Sequence, residues 1–123
     1  MSYGVDTYKE QAVVSDDPYL LILKLYEGLL KNQGFIKRSI ESGNIESKFN
    51  YINKNVDIFE ELRAVLDFKG GDIAHYLDGL YVYQIQLLFE AGIDDDITKV
   101  EQVTNVIKGL IEAWKEEISK KST

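Results

Sequence analysis

Residues 45–65 read IESKFNYINKNVDIFEELRAV, and within them Ile45, Phe49, Ile52, Val56 and Phe59 fall three or four apart. That spacing lines one face of an α-helix and does not suit a strand, whose faces alternate every second residue. A second apolar row, Tyr51, Ile58, Leu62 and Val65, runs beside the first. With each residue turned about 100° from the last, the two rows together cover roughly 200° of circumference, against the somewhat more than 100° a helix needs to bury one side. Glu46, Asp57, Glu60 and Glu61 share what remains.

Working outward, the same period recurs on both sides. Ile22, Leu25, Leu29, Ile36 and Ile40 mark an earlier helix, for which Asp17 is a suitable N-cap, Pro18 a first residue and Gly43 a stop. Asn44 can cap the helix just described. Beyond it Gly70-Gly71 breaks the pattern, Asp72 opens a third segment marked by Ile73, Leu77, Leu80 and Leu87, and Gly92 is read as its end. Asp94-Asp95-Asp96 stands before a fourth, marked by Ile97, Val100, Thr104, Ile107, Ile111, Trp114 and Ile118. Those carboxylates complement a helix start, as Lys120 and Lys121 complement its end. Helices over about 18–43, 45–69, 72–91 and 95–119, with short connections, predict an all-α antiparallel four-helix bundle occupying 17–123 as one domain. Residues 1–16 stay outside it. Tyr3, Val5, Tyr8, Val13 and Val14 make that lead too apolar for a free tail, so it is expected to fold back as a strap or short helix.

Composition narrows the function. At 123 residues the chain has room for one core, and 45% hydrophobic with 28% charged residues is an ordinary globular balance. The absence of cysteine excludes disulfides, thiolate catalysis, iron–sulfur clusters and cysteine-based zinc sites. Fourteen basic against 21 acidic residues give a formal charge of −7, which repels phosphate-rich partners and argues against nucleic acid. The first twenty residues lack a secretory signal pattern and no run is of spanning length, so a soluble, cytoplasmic protein with no membrane insertion is expected.

Catalytic signals are weak. His75 follows Asp72 by three, but it is the one histidine, whereas a carboxylate-bridged di-iron bundle requires two Glu-x-x-His repeats and two further carboxylates. The Asp94–Asp96 run lacks the spacing of a calcium loop, and Gly70-Gly71 lacks the lysine and spacing of a phosphate cradle. Trp114 sits in an apolar seam and reads as a core anchor. No catalytic, metal or cofactor site is therefore expected, and no enzymatic activity.

The apolar surplus is more informative. The third helix carries Tyr76, Val82, Tyr83, Ile85 and Phe89 beyond its core set, and the fourth carries Val103, Val106, Leu110 and Ala113. Either the third helix lies centrally, wrapped by the second and fourth, or the surplus forms an exposed groove for a helical segment of another chain. Under the second arrangement the contacts would be Tyr51, Ile58, Leu62, Tyr83, Val106 and Leu110. Eight tyrosines suit a surface that is only partly wet.

Asp17-Pro18, Leu21-Ile22 and Leu25-Tyr26-Glu27-Gly28 are followed in order by Leu66-Asp67, Gly70-Gly71, Ile73-Ala74, Leu77, Leu80-Tyr81, Tyr83 and Ala113-Trp114. Through these, from about Tyr8 to Lys115, the chain resembles the bacterial flagellin-specific export chaperones of the flagellar type III secretion system. The first three are similar to that family's Ser-Pro, Leu-Ile and Leu-Tyr-Asp/Glu-Gly. Asp17 departs from the usual serine but still caps a helix; Lys24 stands where an apolar residue is common, and the lead around Tyr8 matches loosely. The resemblance implies an ATP-independent cytoplasmic chaperone that binds the C-terminal segment of flagellin, prevents premature polymerisation and helps present it to an export-gate protein. It also implies that the client replaces water, and the strap around Tyr8, over the second, third and fourth helices. A co-chaperone or anti-sigma factor as further partner is left open. Two rivals stay open as well: a bundle enzyme holding a metal or organic cofactor, and a helical adaptor or oligomerisation module using the same surplus for itself.

Overall fold

The computed structural model describes residues 17–121, and the expected strap with Tyr8 lies outside them. Four helices make up nearly all of it: α1 Pro18–Glu41, α2 Ile45–Ala64, α3 Asp72–Asp94 and α4 Ile97–Lys121, with a 3₁₀ turn at Phe68–Gly70. The fold is an all-α four-helix bundle. Each helix packs on its two neighbours, α1 on α2 and α4, and α3 on α2 and α4. No helix is central, so α3 stands at a corner diagonal to α1, and the wrapped arrangement does not occur.

Local chemistry sets the helix ends. Asp17 accepts a hydrogen bond from the Tyr19 amide at 2.9 Å and Pro18 opens α1. Asn44 does the same for Ser47 at 3.0 Å ahead of α2. The chain turns between these helices at Gly43, whose φ of 70° is a conformation glycine adopts without a Cβ penalty. Helix α2 ends at Ala64, short of the expected 69. There Asp67 caps a separate 3₁₀ turn by accepting from the Lys69 amide at 3.0 Å, which draws the backbone out of the helix.

Gly92 does not close α3. It lies inside the helix, where an added Cβ would stand 2.8 Å from both Ile52 Cδ1 and Phe49 Cε1. The glycine is there for close packing of α3 on α2. The stop is Asp95, in the left-handed region at φ 52°, with its amide bonded to the Ala91 carbonyl. Its carboxylate meets the Lys48 ammonium at 2.7 Å, and Lys48 is buried. Asp96 then accepts from the Thr98 and Lys99 amides at 2.9 and 3.3 Å and starts α4.

The core is built from Leu25, Leu29, Ile36, Ile52, Ile58, Phe59, Leu88, Val100, Val103 and Ile107, all at most 1% exposed. A polar layer crosses it. Asn55 donates to the Leu29 carbonyl at 3.1 Å and to Gln33 Oε1 at 2.7 Å, and accepts from Asn32 Nδ2 at 2.9 Å. Gln33 in turn donates to the Val100 carbonyl and Thr104 Oγ1. Three helices are thereby fixed in one register, because a slip would leave these amides unpaired in an apolar interior. Among the described residues no helix is long and apolar enough to cross a membrane.

Candidate protein-binding surface

At one end of the bundle the start of α1, the end of α2, the start of α3 and the last turns of α4 leave a cavity of about 450 Å³. Its wall is mostly apolar: Ile22, Leu62, Leu66, Ile73, Leu77 and Trp114 contribute, with Tyr19, Tyr26 and Tyr81. Trp114 is held in place rather than loose. Its indole N–H donates to the Tyr19 carbonyl at 2.8 Å while its ring stacks on Tyr19 at 5.4 Å and meets Tyr26 edge-on at 6.4 Å. The hydroxyls of Tyr26 and Tyr81 share a 2.6 Å hydrogen bond, and burial raises both above the ordinary phenol pKa. They stay neutral and bonded to each other. The site therefore offers an apolar hollow with rigid aromatic walls, suited to seating hydrophobic side chains from another chain.

A second apolar surface follows the α3–α4 flank. Glu90 of α3 and Lys99 of α4 meet at 2.7 Å, a contact that holds the Glu90 carboxyl below, and the Lys99 ammonium above, its ordinary pKa. Seven residues make close to two helical turns, so counting in sevens from this pair in antiparallel helices brings Tyr83 level with Val106 and Tyr76 level with Ala113. Leu110, three turns beyond Lys99, shares that flank. Tyr76 and Tyr83 are 64% and 53% exposed, Val106 and Leu110 are half-buried, and Ala113 is exposed. Three expected contacts, Tyr83, Val106 and Leu110, are thus brought together on one flank.

The other three are not on it. Ile58 is in the core at 0% exposure and cannot meet a client on the surface, whereas Val65 at the end of the same row is 52% exposed. Tyr51 belongs to the α1–α2 side, half-buried and stacked on Phe35 at 4.6 Å. Leu62 is 1% exposed, yet it forms part of the cavity wall. The sequence reading did not find Tyr19, Ile22, Ile73 or Leu77 as parts of one site. Ile22, Ile73 and Leu77 were legible only as apolar steps within their own helices and as parts of the family likeness, and Tyr19 carried no signal.

His75 lies on the surface of α3 with its ring 4.8 Å from that of Phe68. Among the described residues no cluster of three or more histidine, aspartate or glutamate side chains could hold a metal ion.

Comparison with known proteins adds the family. Residues 1–122 match the family described as flagellar protein FliS. The chain is similar to the flagellar secretion chaperone FliS of Campylobacter jejuni, 39% identical over 112 residues covering 90% of this chain and 88% of the relative. It is 34% identical to the chaperone of the same name in Salmonella typhimurium, covering 87% of this chain and 81% of that one. Against the Bacillus subtilis chaperone the identity is 27%, covering 90% and 83%.

Proposed function

Because this chain belongs to the FliS family of flagellar secretion chaperones, we propose that it binds the C-terminal segment of flagellin in the bacterial cytoplasm and keeps it from polymerising before export. The observation that carries this reading is the apolar cavity at the bundle end together with the Tyr76-Tyr83-Val106-Leu110 flank. A segment laid along the flank as a helix would cover the half-exposed tyrosines, and side chains at its end would enter the cavity against Trp114 and Leu77. A segment that orders as it docks would have its apolar face hidden there and could not assemble. No nucleotide or metal is required, since the free energy of holding comes from apolar burial. Release belongs to the export gate, to which the loaded chaperone would deliver its client.

The test is titration calorimetry of the full chain with a synthetic peptide of the flagellin C-terminal segment at two temperatures. One-to-one binding with a large negative heat-capacity change supports an apolar surface on which the client folds. Absence of heat at both temperatures, with no co-elution on a sizing column, rejects the flagellin assignment and favours an adaptor role.

A further inference from the structure

The outward face of α3, away from the flank just described, carries an apolar row of its own at Val82, Phe89 and Ile93. They fall within a seam of alternating four- and three-residue steps, His75, Gly79, Val82, Gln86, Phe89 and Ile93, the repeat that keeps one face toward a partner helix. Val82, Phe89 and Ile93 are 42%, 41% and 74% exposed. Side chains of this size left open in a row, on the helix diagonal to α1, mark an interaction surface.

Acidic groups outnumber basic ones along its border. From Asp72 to Asp94 α3 contains four carboxylates and no lysine or arginine. The contact of α3 with α2, set by Arg63 with Asp78 and by Gly92 against Phe49, turns the α2 row Glu46, Asn53 and Glu60 toward the seam. The contact with α4, set by Glu90 with Lys99, turns the row Gln102, Gly109 and Glu116 toward it from the other side. Two cations of the border are engaged, and their partners with them: Arg63 lies 2.8 Å from Asp78 and 3.0 Å from Glu60, and Lys99 lies 2.7 Å from Glu90. Lys69, exposed in the turn whose Phe68 meets His75, is a third at the far end, set against Glu46, Asp94 and Glu116. The exposed cations Lys24, Lys31 and Arg38 form a row on α1, at the diagonal corner.

We propose that the outer face of α3 docks a cationic amphipathic helix from a second protein, apart from the surface that takes the client. Apolar residues of that helix would pair with Val82, Phe89 and Ile93, and its lysines or arginines would meet the carboxylates along both edges. Charge decides among the occupants. A second copy placing its own α3 there would set acid against acid, and an anionic lipid surface would be repelled. Residues 1–16 carry Asp6, Glu10 and Asp16 against Lys9, the wrong sign for this face.

The probe is a synthetic peptide of three heptads with leucine at the seam positions and lysine beside them, titrated into the isotope-labelled full chain. A matching peptide with glutamate in place of lysine is the control. The lysine peptide should bind one-to-one, shift the amides of residues 79–94, and weaken as salt is raised; the glutamate peptide should bind at least about tenfold more weakly. Phe89→Ser with Ile93→Ser should reduce lysine-peptide affinity by about tenfold or more while the flagellin peptide binds as before. Asp94→Asn with Glu116→Gln, which removes charge and no apolar contact, should flatten the salt dependence. Equal binding of both peptides, unchanged affinity in the seam variant, or a concentration-dependent dimer that the seam variant abolishes would each overturn the proposal. Loss of flagellin-peptide binding in the seam variant would overturn it too, by making this face the client surface. A full chain that ignores flagellin but binds the lysine peptide as described would leave this face standing while the client assignment falls.

Discussion

Tyr26 in α1 and Tyr81 in α3 touch through their hydroxyls at 2.6 Å, although their helices stand at diagonal corners of the bundle. They are 3% and 2% exposed, and the contact lies in the wall of the bundle-end cavity. One polar bond thus braces the diagonal where the four helix ends leave apolar space. Burial holds both phenols protonated above the pH at which free tyrosine ionises.

That brace makes alkaline pH destabilising. Above about pH 10 the unfolded chain loses these two protons while the folded chain keeps them, so stability is intact below the unfolded pKa and falls as pH rises beyond it. The limiting slope is about 1.4 kcal/mol per pH unit for each tyrosine. Urea unfolding between pH 8 and 11 should show the decline, and the double variant Tyr26→Phe with Tyr81→Phe should lose the part due to this pair. The single change Tyr81→Phe leaves the Tyr26 hydroxyl buried without its partner and should cost about 1 to 2 kcal/mol at neutral pH.

Asn55 and Gln84 are both buried amides with opposite prospects. Asn55 makes three side-chain hydrogen bonds and joins α2 to α1, whereas Gln84 donates once, to the Leu80 carbonyl at 3.2 Å, and its Oε1 has no partner among the described residues. Asn55→Ala strands groups on Asn32 and Gln33 and should cost about 3 kcal/mol in chemical denaturation. Gln84→Met keeps the volume and removes the unpaired oxygen, so its effect should stay within about 1 kcal/mol of zero.

Two glycines separate packing from propensity. Gly92→Ala puts a methyl into the side chains of Phe49 and Ile52, and Ile52 is fully buried. Overpacking costs about 1 to 3 kcal/mol, more than the roughly 1 kcal/mol that alanine gains as a helix former, so the variant should melt earlier. Gly109→Ala, with nothing within 4 Å of the new methyl, should melt later by a few degrees.

These contrasts show what the sequence could carry. Caps and breaks are local, so Asp17, Asn44 and Gly43 were legible from one or two neighbours. Gly92 was not, because a glycine that ends a helix and one that lets another helix approach look alike until Ile52 and Phe49 are seen beside it. The width of an apolar arc was legible as well, but not which neighbour covers it. In α2 the extra row is buried at Ile58 and Leu62 and open only at Val65, and in α3 the extra rows stay open at Tyr83 and Val82. The cavity depends on residues from Tyr19 to Trp114 meeting in space, a distance no periodicity encodes.

Ile58 and Tyr83 therefore have separate consequences. Ile58→Glu places a carboxylate among Leu62, Phe59 and the rest of the core, where neither water nor a cation reaches it, and a cost of several kcal/mol is comparable to the whole stability of a small domain. Its far-ultraviolet signal should fall and its cooperative transition should vanish. Tyr83→Ser removes a ring that is 53% exposed, so melting should move by no more than a few degrees. The same change takes apolar area from the α3–α4 flank level with Val106, and flagellin-peptide affinity should drop by roughly tenfold. An intact fold with unchanged affinity in Tyr83→Ser would remove the flank from the client surface and leave the cavity to bear the binding alone.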